Sequence, residues 1–266
     1  IGGGPAGLCS AIEVARAGGE VLVVDENHKA GGQLFKQIHK FFGSKEHRAG
    51  IRGIHIGEML LKEAKDLGIE IWLNTEAVGI NANKEIWVIQ NQKKSFMLRA
   101  ERIIIATGAQ ENPINFPGWT LPGVMGAGAA QTMMNIHRVK PGNKVLMVGS
   151  GNVGVIVSYQ MLQAGIEVAG IIDVTQKPGG YEVHMAKIKR AGVPFYPRHT
   201  IKRAFGNACV EGAEIVEVDK DLNPIEGSEK ILDVDTICLA TGFTPLGELA
   251  WMAGCAFEFN PSLGGH

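Results

Sequence analysis

IGGGPAGLCSA, residues 1–11, and VLMVGSGNVG, residues 145–154, carry the same spacing of glycines. In the first, G-x-G-x-x-G falls on Gly2, Gly4 and Gly7; in the second, on Gly149, Gly151 and Gly154. One such loop is a weak signal, because glycine turns are common. Its context decides what it means. After the first loop, Leu8, Ala11, Ile12 and Ala15 recur at helical spacing until Gly18 and Gly19 end the run. The strand-length apolar run EVLVVDE follows and closes on Asp25 and Glu26. The second copy repeats the order: strand NKVLMV, loop, helix through VGVIVSYQMLQAG, strand IEVAGIID closing on Asp173. Each acid trails its third glycine at close to the spacing of about twenty residues that a dinucleotide-binding βαβ unit requires.

The physical reading is the same for both copies. The first glycine permits the tight turn, the second lets backbone approach a pyrophosphate, and the third lets helix and strand pack closely. The helix N-terminus offers unpaired N–H groups and partial positive charge to phosphates. The strand-end carboxylate accepts from ribose hydroxyls.

The duplication continues downstream. IEIWLN, EAVGIN and EIWVIQ, separated by polar turns NANK and NQKK, predict an antiparallel meander ending in RIIIATGA. TIKRAF and AEIVEVD predict a second one, ending in DTICLATGF. The expected fold is α/β: two Rossmann-like units, each a parallel sheet with helices plus a meander, the second inserted into the first. Residues 1–111 and 236–266 are assigned to the first unit and 112–235 to the second.

Composition is that of an ordinary globular chain, 45 % hydrophobic and 20 % charged, with a net charge of −1. That balance argues against nucleic acid and against an anionic membrane surface as partners. No apolar run reaches membrane-spanning length. Cys9, Cys209, Cys238 and Cys255 form neither a C-x-x-C pair nor a zinc spacing. Cys9 and Cys238 fall inside apolar patterns and read as small core residues, which favours a reducing, cytoplasmic setting. The histidines are scattered, and no metal site is expected.

With these residues assembled, the chain resembles the two-dinucleotide-binding flavoproteins of the thioredoxin-reductase and glutathione-reductase type. GGGPAG, DENHKAGGQL, IIIATGA, VGSGNVG and CLATGFTP carry the resemblance. The stretch ATGAQENPINFPGWTLPGVMGAGAAQTMMN is more specific. It is similar to the FAD-binding alpha subunits of heteromeric sarcosine oxidase, opine dehydrogenase, hydrogen cyanide synthase and dye-linked proline dehydrogenase. The resemblance implies FAD on the first unit, with Gly2, Gly4, Pro5, Ala6 and Gly7 at its pyrophosphate. Asp25 or Glu26 would hold its ribose; spacing from the glycine loop favours Asp25, and spacing back from Gly31 and Gly32 favours Glu26. Gly32, Gln33 and Leu34 would approach the ribityl chain and flavin, Val78 would meet adenine through backbone, and Ala106, Thr107 and Gly108 would close over the cofactor. On the second unit, Gly149, Gly151, Asn152 and Val153 would take phosphates, with Gly242 at the matching second strand end. Asp173 favours NAD over NADP, since the nearest following cation is Lys177.

The implied activity is FAD-dependent hydride transfer between flavin and NAD(H) or a small amine- or amino-acid-type substrate, with a partner subunit completing the site or accepting electrons. Two alternatives stand beside it: a nucleotide-binding subunit whose second site is regulatory, and an NADH:acceptor reductase. No catalytic residue is assigned. The chain departs from the disulfide reductases in having no cysteine pair, and so no relay from flavin to a disulfide. FKQIHKFFGSKEHRAGIRG, with Lys36, Lys40, Lys45, Arg48 and Arg52, reads either as a cationic loop shielding the flavin or as a solvated helix with an apolar underside. Single-strand nucleic-acid stacking is a poor third. The chain begins inside what should be a buried strand, and it contains no Gly-Asp dipeptide of the kind the relatives place against the ribityl chain. These two features predict a sequence cut at both ends.

Overall fold

A computed structural model of the chain describes residues 1–260 and 265–266. They form two compact units, Ile1–Gln110 with Thr244–His266, and Glu111–Phe243.

In the first unit, α1 (Pro5–Arg16) begins on a proline, whose fixed φ suits a first helical position. It is followed by β1 (Leu22–Val24), a 3-10 turn over Gly32–Lys36, α2 (Gly53–Asp66) and β2 (Glu70–Trp72). The three-stranded meander is β3 (Thr75–Ile80), β4 (Glu85–Gln90) and β5 (Lys94–Arg99). IEIWLN is therefore not part of the meander. It pairs parallel with β1, Leu22 opposite Glu70 and Val24 opposite Trp72, because a helical crossover through α2 returns the chain in the same direction. RIIIATGA does not form a regular strand. Its ladder neighbour is Ile1, which donates to the Ile104 carbonyl and accepts from Ala106 N–H, both short of a run. Leu8 and Ile12 of α1, Leu34, and Ile56 and Leu60 of α2 form one core. Val24 with Ile80, Ile86 and Val88 of the meander forms another.

Between the 3-10 turn and α2, residues 37–52 form an irregular loop, not a helix. Phe41 N–H donates to Ile51 O and Gly50 N–H to Phe41 O, both at 2.8 Å. A single bridge sets Lys40 opposite Arg52. Glycines at 43 and 50, both with positive φ, are what a helix could not use.

β6 (Ala109–Glu111) leads into the second unit. There the chain runs through β7 (Val124–Gly126), α3 (Ala127–Thr132) continued by a π turn over Met133–His137, β8 (Lys144–Val148), α4 (Asn152–Gln163), β9 (Glu167–Asp173), α5 (Glu182–Arg190) and β10 (Phe195–Pro197). β11 (His199–Phe205), β12 (Gly212–Glu217) and β13 (Lys230–Leu232) make an antiparallel sheet, and β14 (Thr236–Leu239) follows. The parallel sheet has the order β10-β9-β8-β14-β7. Side chains alternate across it. Val145 and Met147 of β8 face α3, α4 and α5, while Leu146 and Val148 face β11 and β12.

β14 corrects the expected boundary. Thr236 lies opposite Val145 and Ile237 opposite Val124, so this fully buried strand is central to the second unit's sheet. Residues 236–243 belong there, as does Glu111, and the chain returns only through β15 (Phe243–Pro245), which pairs with β6, and α6 (Glu248–Met252). Residues 261–264, within the terminal NPSLGGH, lie outside the described residues. Among the described residues no helix is long and apolar enough to cross a membrane.

Candidate functional site

The two glycine loops are built alike. Gly2 has φ +102° and Gly149 φ +105°, a region side chains avoid. Gly2 N–H donates to Val24 O and Gly149 N–H to Ile172 O, both at 2.8 Å, which ties each loop to its neighbouring strand. A Cβ at Gly2 would overlap the Ala106 carbonyl, and one at Gly149 the Ala240 carbonyl. The two Ala-Thr-Gly segments thus lie directly against the loops. A Cβ at Gly7 or Gly154 would overlap the carbonyl of the loop's own first glycine. In front of the middle glycines there is room. At Gly4 the nearest atom to a Cβ is Gly32 Cα at 3.9 Å, and at Gly151 nothing lies within 4 Å. Both residues are N-caps of 12-residue helices, whose first-turn N–H groups have no partner inside the helix. Free backbone donors beside open space fit a pyrophosphate at each loop.

Both strand-end acids are turned back onto their loops. Asp25, 6 % exposed, accepts from Gly3 N–H on Oδ2 at 2.6 Å. Its Oδ1 accepts from Asn27 N–H and Nδ2 at 2.8 and 3.0 Å. One lone pair of Oδ2 remains. Glu26 is exposed and lines a polar hollow with Asn27, Asn74, Glu76 and Asn91. Asp173 accepts from Ser150 N–H and Oγ on Oδ2 at 2.7 and 2.5 Å, and from Thr175 N–H and Oγ1 on Oδ1 at 3.0 and 2.9 Å. Burial pushes its carboxyl up, but the bonds from Ser150 and Thr175 outweigh that and hold it below the usual carboxylate range.

The strap at Gly31 and Gly32 has a counterpart in the second half that the sequence reading did not draw. Lys29-Ala30-Gly31-Gly32 and Lys177-Pro178-Gly179-Gly180 stand at the same distance behind Asp25 and Asp173. Gly31 N–H donates to Gly3 O at 2.7 Å, and Gly180 N–H to Ser150 O at 2.8 Å. Tyr181 N–H donates to Asn152 Oδ1 at 2.8 Å, so the Asn152 side chain holds the strap. Aligning the two halves on their acids would have found the repeat.

The other expected residues divide. Val78 sits where the β3–β4 register shifts between Ala77 and Gly79, so it has no ladder partner, and its side chain is exposed. Gln33 is exposed, but the Leu34 side chain is 3 % exposed and packs in the core, leaving only backbone for a ligand. Val153 packs against the second unit's helical core. Thr107 Oγ1 donates to Leu246 O at 2.8 Å and Thr241 Oγ1 to Asn112 O at 2.6 Å, so both hydroxyls hold the chain segments that cross between units. Gly108 and Gly242 have φ +80° and +112°. Cys238 is buried as expected, and burial, with Glu111 adding to it, pushes its thiol up to about 12. Cys9 is exposed, contrary to the sequence reading. It follows Leu8 on α1, and the buried stripe Leu8, Ala11, Ile12 leaves it on the outer face. The four cysteines are unpaired, and among the described residues no cluster of three or more His, Cys, Asp or Glu is placed to hold a metal.

Duplicated glycine loops, each hydrogen-bonded to the acid at the end of the next strand and backed by an Ala-Thr-Gly segment, define a chain with two dinucleotide-type folds. The family model described as pyridine nucleotide-disulphide oxidoreductase matches residues 1–260, and the chain belongs to that family. That family is one of oxidoreductases that bind FAD and a pyridine nucleotide. It is 27 % identical over 277 residues to an opine oxidase subunit from Agrobacterium tumefaciens, covering 98 % of this chain and 55 % of that one. It is 27 % identical over 286 residues to hydrogen cyanide synthase subunit HcnB of Pseudomonas aeruginosa, covering 98 % and 60 %. The chain therefore spans little more than half the length of these relatives. Among solved structures, L-proline dehydrogenase from P. horikoshii superposes with a TM-score of 0.68 at 24 % identity, over 98 % of this chain and 44 % of that one. T. acidophilum thioredoxin reductase does so with 0.75 at 19 %, over 97 % and 80 %. These two likenesses speak to fold alone.

Proposed function

We propose that the first loop holds FAD, that the second holds NAD(H), and that hydride passes between flavin and NAD(H) or a small amine- or amino-acid-type substrate, with a partner subunit supplying the substrate site or the electron acceptor. The observation that carries this reading is the open space in front of Gly4 and Gly151, each at a helix N-terminus and each on a loop hydrogen-bonded to a strand-end acid. When bound, flavin supplies the capacity to accept and return a hydride. The chain's own residues bind and orient. The N–H groups of Ala6 and Gly7 and of Asn152 and Val153 would meet phosphates. The free lone pair of Asp25 Oδ2 would take an FAD ribose hydroxyl, and the backbone of Val78, at the β3–β4 register shift, would meet adenine. Asp173, held ionised, would repel a 2′-phosphate, which favours NAD over NADP. The partner subunit is supported by the relatives' names, each being one subunit of a larger oxidase or synthase.

The test is the spectrum and mass of the small molecules released on denaturation, with NADH titration of the purified protein. The reading expects FAD and fast bleaching of its absorbance by NADH. Tight NADH binding without bleaching would make the second site regulatory. Release of a different nucleotide from the first loop would sink the reading.

A further inference from the structure

Asp173 has about four in-plane acceptor positions, and all four are filled by this chain. A ribose hydroxyl therefore finds no place unless one donor leaves. The two backbone donors are fixed by the glycine loop and the turn. That leaves the hydroxyls of Ser150 and Thr175, and they are not equivalent.

Ser150 Oγ has two partners. One is Asp173 Oδ2; the other is Gly179 N–H, which donates to Oγ at 3.1 Å. A donor already faces it, so its single proton belongs to Asp173. Ser150 is also fully buried. Thr175 Oγ1 faces two acceptors instead, Asp173 Oδ1 at 2.9 Å and the Lys177 carbonyl at 2.7 Å. It has one proton for both, and it is exposed. Turning the proton toward Lys177 keeps the hydroxyl bonded and withdraws its hydrogen bond from Oδ1, which leaves that oxygen one donor short.

We propose that Thr175 is the specificity-setting gate of the second nucleotide site: its hydroxyl stands in for a ligand hydroxyl on Asp173 Oδ1 and turns to the Lys177 carbonyl when a ribose hydroxyl arrives, while Ser150 keeps Asp173 in place. The inference rests on the second loop being a nucleotide site. Asp173 then offers one acceptor to one hydroxyl. A 2′-phosphate brings no proton to that position and adds a charge beside the carboxylate. The first unit has no such gate, because Asp25 already has an open position and Asn27 replaces Thr175.

Two substitutions at the same carboxylate should then act in opposite directions. Thr175→Val removes the competing donor, so NADH should bind as tightly as to wild type or up to about tenfold more tightly. Ser150→Ala removes the fixed donor, so NADH binding should weaken by about tenfold or more, as for a lost hydrogen bond to a charged group. The ratio of NADPH to NADH dissociation constants should fall in Ser150→Ala, since a loosened carboxylate discriminates less. Thr175→Ser should restore wild-type behaviour. Ser150→Gly, which places in the second loop the residue found at Gly3, covers the case in which Ser150→Ala does not fold. Calorimetric titration of the FAD-containing full chain with NADH and NADPH reads all of these. Thr175→Val weakening NADH as much as Ser150→Ala overturns the gate, and so does equal affinity in both. Failure of the wild type itself to bind NADH overturns the nucleotide reading beneath it.

Discussion

Gly3 and Asp25 are joined by a 2.6 Å hydrogen bond from backbone N–H to carboxylate, and Ser150 and Asp173 by the same bond at 2.7 Å. In each half, the residue between the first two glycines holds the acid at the end of the next strand. The acid in turn receives the N–H of the residue two places on, Asn27 or Thr175. The acids thus shape the loops before any ligand arrives, and a charge beside each helix N-terminus is balanced by backbone donors.

Gly4→Val should abolish flavin retention while leaving nucleotide binding at the second loop, and Gly151→Val should do the reverse. Neither glycine has positive φ, being N-caps at φ −74° and −63°. Neither Cβ would meet the chain closer than 3.9 Å. The chain thus leaves room for a Cβ at both positions, and the matching Gly→Ala variants should show the same losses if the ligand is what the side chain meets. Flavin absorbance per protein and NADH calorimetry measure the two effects. Wild-type flavin content in Gly4→Val would show that the first loop is not the FAD site.

Much of this was legible because glycine spacing and apolar runs are local signals. Both loops, their helices and the strands around Val145 and Ile171 could be read directly. The strand at Glu70–Trp72 could not, since its alternation suits a meander and only the crossover through α2 sets its direction. For residues 37–52 the sequence left loop and helix open, because Phe41 and Ile51 pack on the core from a loop and composition does not distinguish the two. The boundary at 236 failed because Thr236–Leu239 closes the second sheet before the chain returns. Ser150 and Thr175 carry no motif; their roles come from distances.

Glu111 explains part of the GAGAAQ stretch. Its carboxylate accepts from Gly128 N–H at 2.6 Å and Ala129 N–H at 3.3 Å, and a Cβ at Gly126 would overlap it. Glu111→Ala should cost about 1 kcal/mol through lost capping. Gly126→Ala should destabilise the wild type, yet cost little more in the Glu111→Ala background. A double-mutant cycle on thermal melts tests the coupling, and additive effects would refute it.

Thiol chemistry should follow burial. Cys9, Cys209 and Cys255 are exposed and should react with a maleimide in the native protein. Cys238, fully buried with its thiol pushed up to about 12, should react only on unfolding. Mass spectrometry of labelled protein should show three adducts before denaturation and a fourth after it.

Asp173 should make stability depend on acidity in a defined direction. Burial raises its folded carboxyl, but donors from Ser150 and Thr175 outweigh that and hold it below the ordinary value of about 3.9. A group lowered on folding contributes stability that is fully present above the unfolded value and is lost as pH falls through the folded one. The contribution of Asp173 should therefore be constant at neutral pH and disappear below about pH 4. Asp173→Asn removes the titration and turns an amide N–H₂ or a weaker acceptor toward Ser150 and Thr175, leaving donors short of partners. The melting temperature of the variant should lie well below wild type at pH 7, and the gap should narrow steadily as pH falls below about 4. Asp235, also lowered and shared by both proteins, cancels from the difference. A gap that stays constant through the acid range would mean that the carboxylate's charge is not what holds the loop.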